Sequence, residues 1–332
     1  YENVLYKKKV IAISGTHGKT TTSSLVTWIL KYAKLNPSYL IGGQPINLNL
    51  PAKLTSSKFF VIEADEYDTA FFDKRSKYIH YHPNILVINN IEFDHADIFE
   101  NIDAVVKNFH HLVRIVPKNG KIIYNCDDKN INKLIKKGIW SKEISMTSKN
   151  YKNANWSLSR KDNDFSLSNI KTKSRYSKII ESNLMGIHNY KNISLAILAS
   201  MQAGVSFSVC IDAIKKFKGV KRRMEKVENK GMLQIYDDFA HHPTEIESSI
   251  KSLKENFKEK KILSICEIKS HSMISGAHKK DLPIALNNSH YSIIIKPPLS
   301  KWTLEKTSKN LHVVDSYDKA IKLIKKIEDK ID

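Results

Sequence analysis

Runs of consecutive apolar residues alternate with longer segments of helical period along most of this chain. Residues 10–13 (VIAI), 59–62 (FFVI) and 84–90 (NILVINN) are short and lack polar alternation. They predict strands of a parallel sheet covered on both faces. Residues 39–43 (YLIGG) and 121–128 (KIIYNCDD) predict two more strands. Leu25, Val26, Trp28, Ile29 and Leu30 mark a helix that ends near Pro37, where proline cannot continue it. Ile102, Val105, Val106, Phe109, Leu112 and Val113 repeat the helical period over residues 101–116.

Residues 151–180 differ: short stretches such as WSLS and FSLS alternate apolar with polar and predict an antiparallel flap. A helix with apolar Ile193, Leu195, Ala196, Ile197, Leu198 and Ala199 starts after Gly186, and residues 211–217 form a short amphipathic helix. A basic connector follows, containing Gly219, Lys221, Arg222 and Arg223. Beyond it, strands are predicted at 233–236, 261–266 and 291–295, with a helix opening at Pro243 and a final amphipathic helix over 320–327. That is a second α/β unit with its own parallel sheet.

A chain of 332 residues with 41% hydrophobic residues has room for two domains and material for their cores. Three cysteines, Cys126, Cys210 and Cys266, lie far apart, which argues against a disulfide framework or thiolate zinc site and suits a reducing compartment. No segment has the length and composition of a signal peptide or a membrane span. The net charge of +20 comes from lysines spread along the whole chain, with no basic stripe interleaved with aromatics. It reads as a general bias that favours anionic substrates, and neither a nucleic-acid nor a membrane partner is expected.

Residues 10–22 (VIAISGTHGKTTT) bring a strand, a turn with Gly15 and Gly18, and a helix start into register. Glycines let backbone N–H groups approach a phosphate, and the helix dipole favours negative charge there. Lys19 supplies a point charge to the outer phosphates, and the Thr20 hydroxyl can ligate Mg²⁺. The spacing is shorter than G-x-x-x-x-G-K-[ST]. The strand at 59–62 runs into Glu63, Asp65, Glu66 and Asp68, and that at 84–90 into Glu92, Asp94, His95 and Asp97. Carboxylates crowded at strand C-termini repel one another unless a cation neutralises them, and that end of an open α/β sheet is where ligands bind.

GTHGKTTT (15–22), EADEYD (63–68), IEFDHAD (91–97), GIHNYKN (186–192), KRRME (221–225) and YDDFAHHPTE (236–245) occur in this order. Together they resemble the Mur ligases, ATP-dependent peptide synthetases of the bacterial cell wall. The resemblance implies an α/β fold: a P-loop-type, mostly parallel central ATPase domain over residues 1–223, then a smaller Rossmann-like α/β C-terminal domain over 224–332. It implies ATP and Mg²⁺, with Gly15, Thr16, His17, Gly18, Lys19, Thr20 and Thr21 around the phosphates. Thr20 and Glu63 would hold one Mg²⁺ and His95 a second. His188 and Asn189 match the adenine-contacting pair, Arg222 or Arg223 the γ-phosphate arginine, and Asp238 the ribose-side aspartate. His241 and His242 would line a cleft between domains, with helix capping and packing as the alternative. Lys19, His95, Arg222 and Arg223 are the expected catalytic set.

Within the family, residues 63–99 are most similar to the member that attaches a recycled murein tripeptide to UDP-N-acetylmuramate. The alternatives are the member that adds L-alanine and a nucleotide-binding fragment that does not ligate. A cytoplasmic monomer is expected. The peptide-reading motif of the recycling member is approximately E-P-R-S-N-T-M-K; here residues 267–274 read EIKSHSMI, placing Lys269, Ser270 and His271 in it. Lysine for arginine loses the bidentate fork on a carboxylate. The family also has a UDP-sugar-binding domain that nothing before Tyr1 supplies, and one more strand and helix are expected after the last helix.

Overall fold

The computed structural model describes all residues except 1, 2, 150, 152, 162, 163, 171–179, 231, 232, 299, 301, 305–307 and 332. The chain forms two compact units, Tyr1–Phe93 with Asn101–Asp237, and Asp94–Glu100 with Asp238–Asp332. In the first unit the strands are β1 (Lys9–Ser14), β2 (Ser38–Leu40), β3 (Ala52–Lys53), β4 (Phe59–Glu63), β5 (Asp68–Ala70), β6 (Asp73–Ser76), β7 (Ile85–Ile88), β8 (Lys121–Asn125), β9 (Lys142–Thr147), β10 (Trp156–Lys161), β11 (Asp164–Asn169), β12 (Glu225–Lys230) and β13 (Leu233–Asp237). The helices are α1 (Lys19–Tyr32), α2 (Ile102–Arg114), α3 (Lys129–Lys136), α4 (Ile187–Gln202) and α5 (Phe207–Lys215).

Nine strands make one sheet in the order β11-β10-β9-β8-β7-β1-β4-β2-β3. The central strands are parallel, and only β3 and β11 at the two edges run antiparallel to their neighbours. Ile11, Ala12 and Ile13 of β1 and all four residues of β7 have no exposed surface. Both faces of the sheet centre are covered, which is why these strands are continuous apolar runs. On one face α1 and α4 pack together, and α4 is buried for most of its circumference. A core containing Ile13, Leu25, Val61, Val87 and Leu198 joins sheet to helices.

The predicted flap is the antiparallel hairpin β10–β11, which extends the main sheet by pairing β10 with β9; residues 171–179 of that stretch lie outside those described. Residues 233–236 are a strand as expected, but β13 pairs antiparallel with β12 as a two-stranded ribbon. It is not part of the second unit's parallel sheet. Gln234 and Tyr236 leave too little apolar surface for a strand covered on both faces. The basic connector before it is tied to residues 44–46. Val220 bridges to Pro45, Ile46 N–H donates to Gly219 O (3.0 Å), and Lys221 N–H donates to Gln44 O (3.0 Å).

The second unit carries α6 (Pro243–Asn256), β14 (Leu263–Glu267), α7 (His271–Ser275), α8 (Asp281–Ala285), β15 (Tyr291–Ile295), β16 (Leu311–Val314) and α9 (Tyr317–Ile331). Its sheet is parallel, in the order β14-β15-β16. Ile246, Met273, Leu282 and Ile294 build a core on one face, and Ile293, Ile295, Ala320 and Ile327 on the other. Among the described residues, no helix is long and apolar enough to cross a membrane.

Candidate functional site

The turn between β1 and α1 is held by the backbone and side chains of residues 89–92, just beyond the end of β7. Thr16 N–H donates to Asn90 O (3.1 Å) and His17 N–H to Asn90 Oδ1 (2.7 Å). Asn89 Nδ2 reaches His17 O (3.2 Å), Thr22 Oγ1 (3.0 Å) and Asn192 Oδ1 (3.4 Å). Glu92 N–H donates to Thr16 Oγ1 (2.8 Å). The path admits glycine alone at Gly18, where φ is 78° and a Cβ would fall 2.6 Å from Asn192 Oδ1. Gly18 is also the N-cap of α1, and no side chain caps that end. The first-turn N–H groups, including those of Lys19, Thr20 and Thr21, have no helical carbonyl to bond and lie at the positive end of the dipole.

Lys19 Nζ folds back across this turn. It donates to Gly15 O (2.7 Å) and Glu66 Oε2 (3.0 Å) and lies 3.5 Å from Asp65 Oδ1. Burial works against the ammonium charge, but Glu66, Asp65 and Glu63 outweigh it and raise the Lys19 pKa. Glu66 is pushed up to about 7 by burial, against the pull of Lys19 and with a push from Asp65. The two shifts are compatible because one cation faces three carboxylates. The lysine keeps its proton, while Glu66 takes one up as pH falls through about 7.

Glu63 Oε1 accepts from Gly42 N–H (2.8 Å) and Ser23 Oγ (3.1 Å), and Oε2 accepts from Thr20 Oγ1 (3.3 Å). Burial raises its pKa against these bonds and Lys19. A Cβ at Gly43 would sit 2.6 Å from Thr20 Cγ2, so a side chain there would push Thr20 aside. A threonine hydroxyl and a carboxylate thus adjoin an uncapped helix end, in an acidic cluster short of positive charge. That donor set fits a hard, oxygen-preferring cation such as Mg²⁺ beside a phosphate. Asp68 does not join it: its carboxylate is 3.2 Å from Lys74 Nζ in the β5–β6 hairpin.

His188 and Asn189 lie in the first turn of α4. Asn189 Nδ2 donates to Met185 O (2.8 Å), and its Oδ1 accepts from Asn192 Nδ2 (3.5 Å). The amides of Asn89, Asn192 and Asn189 thereby link the phosphate turn to the start of α4. Arg222 adopts φ 57°; its N–H donates to Glu225 Oε2 (2.8 Å), and its Nε lies 3.3 Å from Asp237 Oδ2. Arg223 N–H donates to Val220 O (3.2 Å). Asn89, Asn90, Asn192, Ser23 and Gly42 escaped the sequence reading. The only signal for the first two is the asparagine pair after an apolar run.

The remaining expected residues belong to the second unit. Asp238 accepts from Ser249 Oγ (2.5 Å), and His241 Nδ1 lies 3.1 Å from Phe239 O. His242 is 6% exposed and caps α6, its Nδ1 accepting from Thr244 N–H (3.2 Å). Lys269 is exposed, 3.7 Å from Glu267 Oε2; Ser270 caps α7, and His271 is exposed. His95 sits in the short turn Asp94–Glu100 with φ 57°.

A mostly parallel sheet with a glycine turn opening its first helix, followed by a smaller α/β unit, defines a P-loop-type two-unit α/β protein. The chain belongs to the Mur ligase family: the Mur ligase middle domain matches residues 13–200, and the family described as Mur ligase, glutamate ligase domain matches residues 222–330. It is 38% identical over 303 residues to the UDP-N-acetylmuramate–L-alanyl-γ-D-glutamyl-meso-2,6-diaminoheptandioate ligase of Escherichia coli, covering 91% of this chain and 65% of that one. The enzyme of the same name from Haemophilus influenzae is 36% identical over 303 residues, covering 91% and 66%. The chain thus spans just under two-thirds of the length of these curated relatives. The crystal structure of a murein peptide ligase from Psychrobacter arcticus superposes with a TM-score of 0.71 at 32% identity, covering 97% of this chain and 72% of that one.

Proposed function

We propose that this chain provides the ATP-binding and C-terminal parts of a ligase of peptidoglycan recycling. The enzyme joins L-alanyl-γ-D-glutamyl-meso-diaminopimelate to UDP-N-acetylmuramate. ATP phosphorylates the muramyl carboxylate to an acyl phosphate, the tripeptide amine attacks it, and the tetrahedral intermediate collapses to an amide, ADP and phosphate. Mg²⁺ supplies charge neutralisation, and the protein supplies positioning. The observation that carries the proposal is the Lys19–Glu66 and Thr20–Glu63 arrangement beside the uncapped start of α1.

In this proposal Gly15, Thr16, His17, Gly18 and Thr21 form the backbone cradle and Lys19 binds the outer phosphates. Thr20 and Glu63 hold one Mg²⁺ and His95 a second. His188 and Asn189 contact the adenine, Arg222 or Arg223 the γ-phosphate, and Asp238 the ribose. Lys269, Ser270 and His271 read the far end of the peptide. Of the two histidines, His241 is assigned to substrate, because His242 is buried and committed to capping α6. The enzyme works as a cytoplasmic monomer.

The test is phosphate release by the full-length protein with UDP-N-acetylmuramate and either tripeptide or L-alanine. Faster turnover with tripeptide supports the proposal. Faster turnover with L-alanine moves the chain to the biosynthetic member, an outcome the Lys269 departure would explain. ATP binding with no product from either selects a nucleotide-binding protein that does not ligate.

A further inference from the structure

The turn Asp94–Glu100 lies between two elements of the first unit in sequence but is part of the second unit. Asp94 ties it to α7. Asp94 Oδ1 accepts the His95 N–H at 2.7 Å and the Ser272 Oγ–H at 2.8 Å, and lies 3.9 Å from His278 Nε2. Asp94, Ser272 and His278 are each 6% exposed or less. The His278 ring is in turn set edge-on against His242, centroids 4.4 Å apart at 74°. His95 has φ 57°, a left-handed backbone that a non-glycine residue adopts at a cost and keeps only when its surroundings fix it. Its carbonyl also accepts from Ile98 N–H (2.9 Å) and Phe99 N–H (3.0 Å), closing the turn behind it.

We infer that Asp94 is a positioning residue for His95. Its Oδ1 selects the left-handed backbone at His95 and so aims the imidazole, while Ser272 and His278 keep Asp94 in place. Ser272 lies two positions beyond Ser270 in the 267–274 segment, so the segment proposed to read the peptide also steadies the histidine proposed to hold metal. This inference rests on the proposed metal role of His95. Partners bonded directly to a ligating side chain are worth about 10- to 100-fold in metal affinity or activity; Asp94 acts through the His95 backbone N–H, so that range is the upper bound for its effect.

The test uses the full-length protein with a non-hydrolysable ATP analogue and Mn²⁺, whose binding is read by electron paramagnetic resonance. Melting temperature and kcat against KM for ATP are measured alongside. Asp94→Ala is expected to weaken the second Mn²⁺ by about 10-fold, the low end of the range for partners bonded to the ligand itself, and to lower kcat, with KM for ATP little changed. Ser272→Ala is expected to act in the same direction but less, and Ser272→Thr, which keeps the hydroxyl, to bind Mn²⁺ as the parent does. The two serine variants carry the test if Asp94→Ala does not fold. Parent-like Mn²⁺ binding in folded Asp94→Ala or in Ser272→Ala, where His95→Ala loses it, overturns the positioning role alone. Unchanged Mn²⁺ binding in His95→Ala overturns the metal assignment beneath it.

Discussion

Lys19 Nζ lies 3.0 Å from Glu66 Oε2, and the Glu66 side chain is only 2% exposed. A buried carboxylate beside a lysine normally ionises readily, yet Glu66 is shifted up to about 7 from 4.5, chiefly by burial and despite Lys19. A carboxyl whose folded pKa is raised contributes stability that is complete below its unfolded value and is lost as pH rises through the folded value. In metal-free buffer, unfolding free energy should therefore fall between pH 4.5 and about 7, by on the order of 3 kcal/mol from this group. Glu66→Gln should remove that contribution. Urea unfolding at several pH values measures it, and parallel curves for the two proteins would show that the pH dependence arises from another group.

Gly43 leaves space that the Thr20 methyl occupies, a Cβ being 2.6 Å from Thr20 Cγ2. An extra methyl in a filled space costs about 1–3 kcal/mol. In Gly43→Ala part of that cost falls on Thr20, so Mg²⁺–nucleotide should bind about tenfold more weakly, equivalent to about 1.4 kcal/mol. Isothermal titration with and without Mg²⁺ checks this; an unaltered affinity would mean Thr20 does not take part.

Asn89 is 3% exposed and its Nδ2 serves His17 O, Thr22 Oγ1 and Asn192 Oδ1. Asn89→Ala strands buried acceptors, which costs about 1–3 kcal/mol. Denaturant unfolding should show that loss together with weaker nucleotide binding. A variant that loses stability but binds nucleotide normally would show that the amide supports the fold without shaping the turn.

Lys269 is 79% exposed and lies 3.7 Å from Glu267 Oε2. If it meets the carboxylate at the far end of the peptide, Lys269→Arg restores a two-pronged donor. KM for the tripeptide should then fall by about tenfold, the worth of one added charge-assisted hydrogen bond, with KM for ATP unchanged. An equal KM in both proteins removes Lys269 from the peptide site.

The strands that were legible in sequence are those buried on both faces, such as β1, β4 and β7. Each carries an unbroken run of four apolar residues, Val10–Ile13, Phe59–Ile62 and Ile85–Ile88, and position in the sheet adds nothing needed to recognise it. β9 (KEISMT) and β16 (LHVV) passed unnoticed because polar residues or short length break the run. Among the acids, spacing placed Glu63, Asp65, Glu66 and Asp68 together, but only the fold separates the Lys19 cluster from Asp68, which turns to Lys74.

The sequence by itself determined the α/β class, the phosphate turn and the order of the family's motifs, since apolar period, glycine placement and linear spacing are local properties of the chain. Only the tertiary structure decided what holds those motifs in shape. His17 meets Asn90 across 73 residues and Asp94 meets Ser272 across 178. Such partners are chosen by strand register and by which unit a turn packs against, and a hydrogen bond between distant residues leaves no period in the sequence to read.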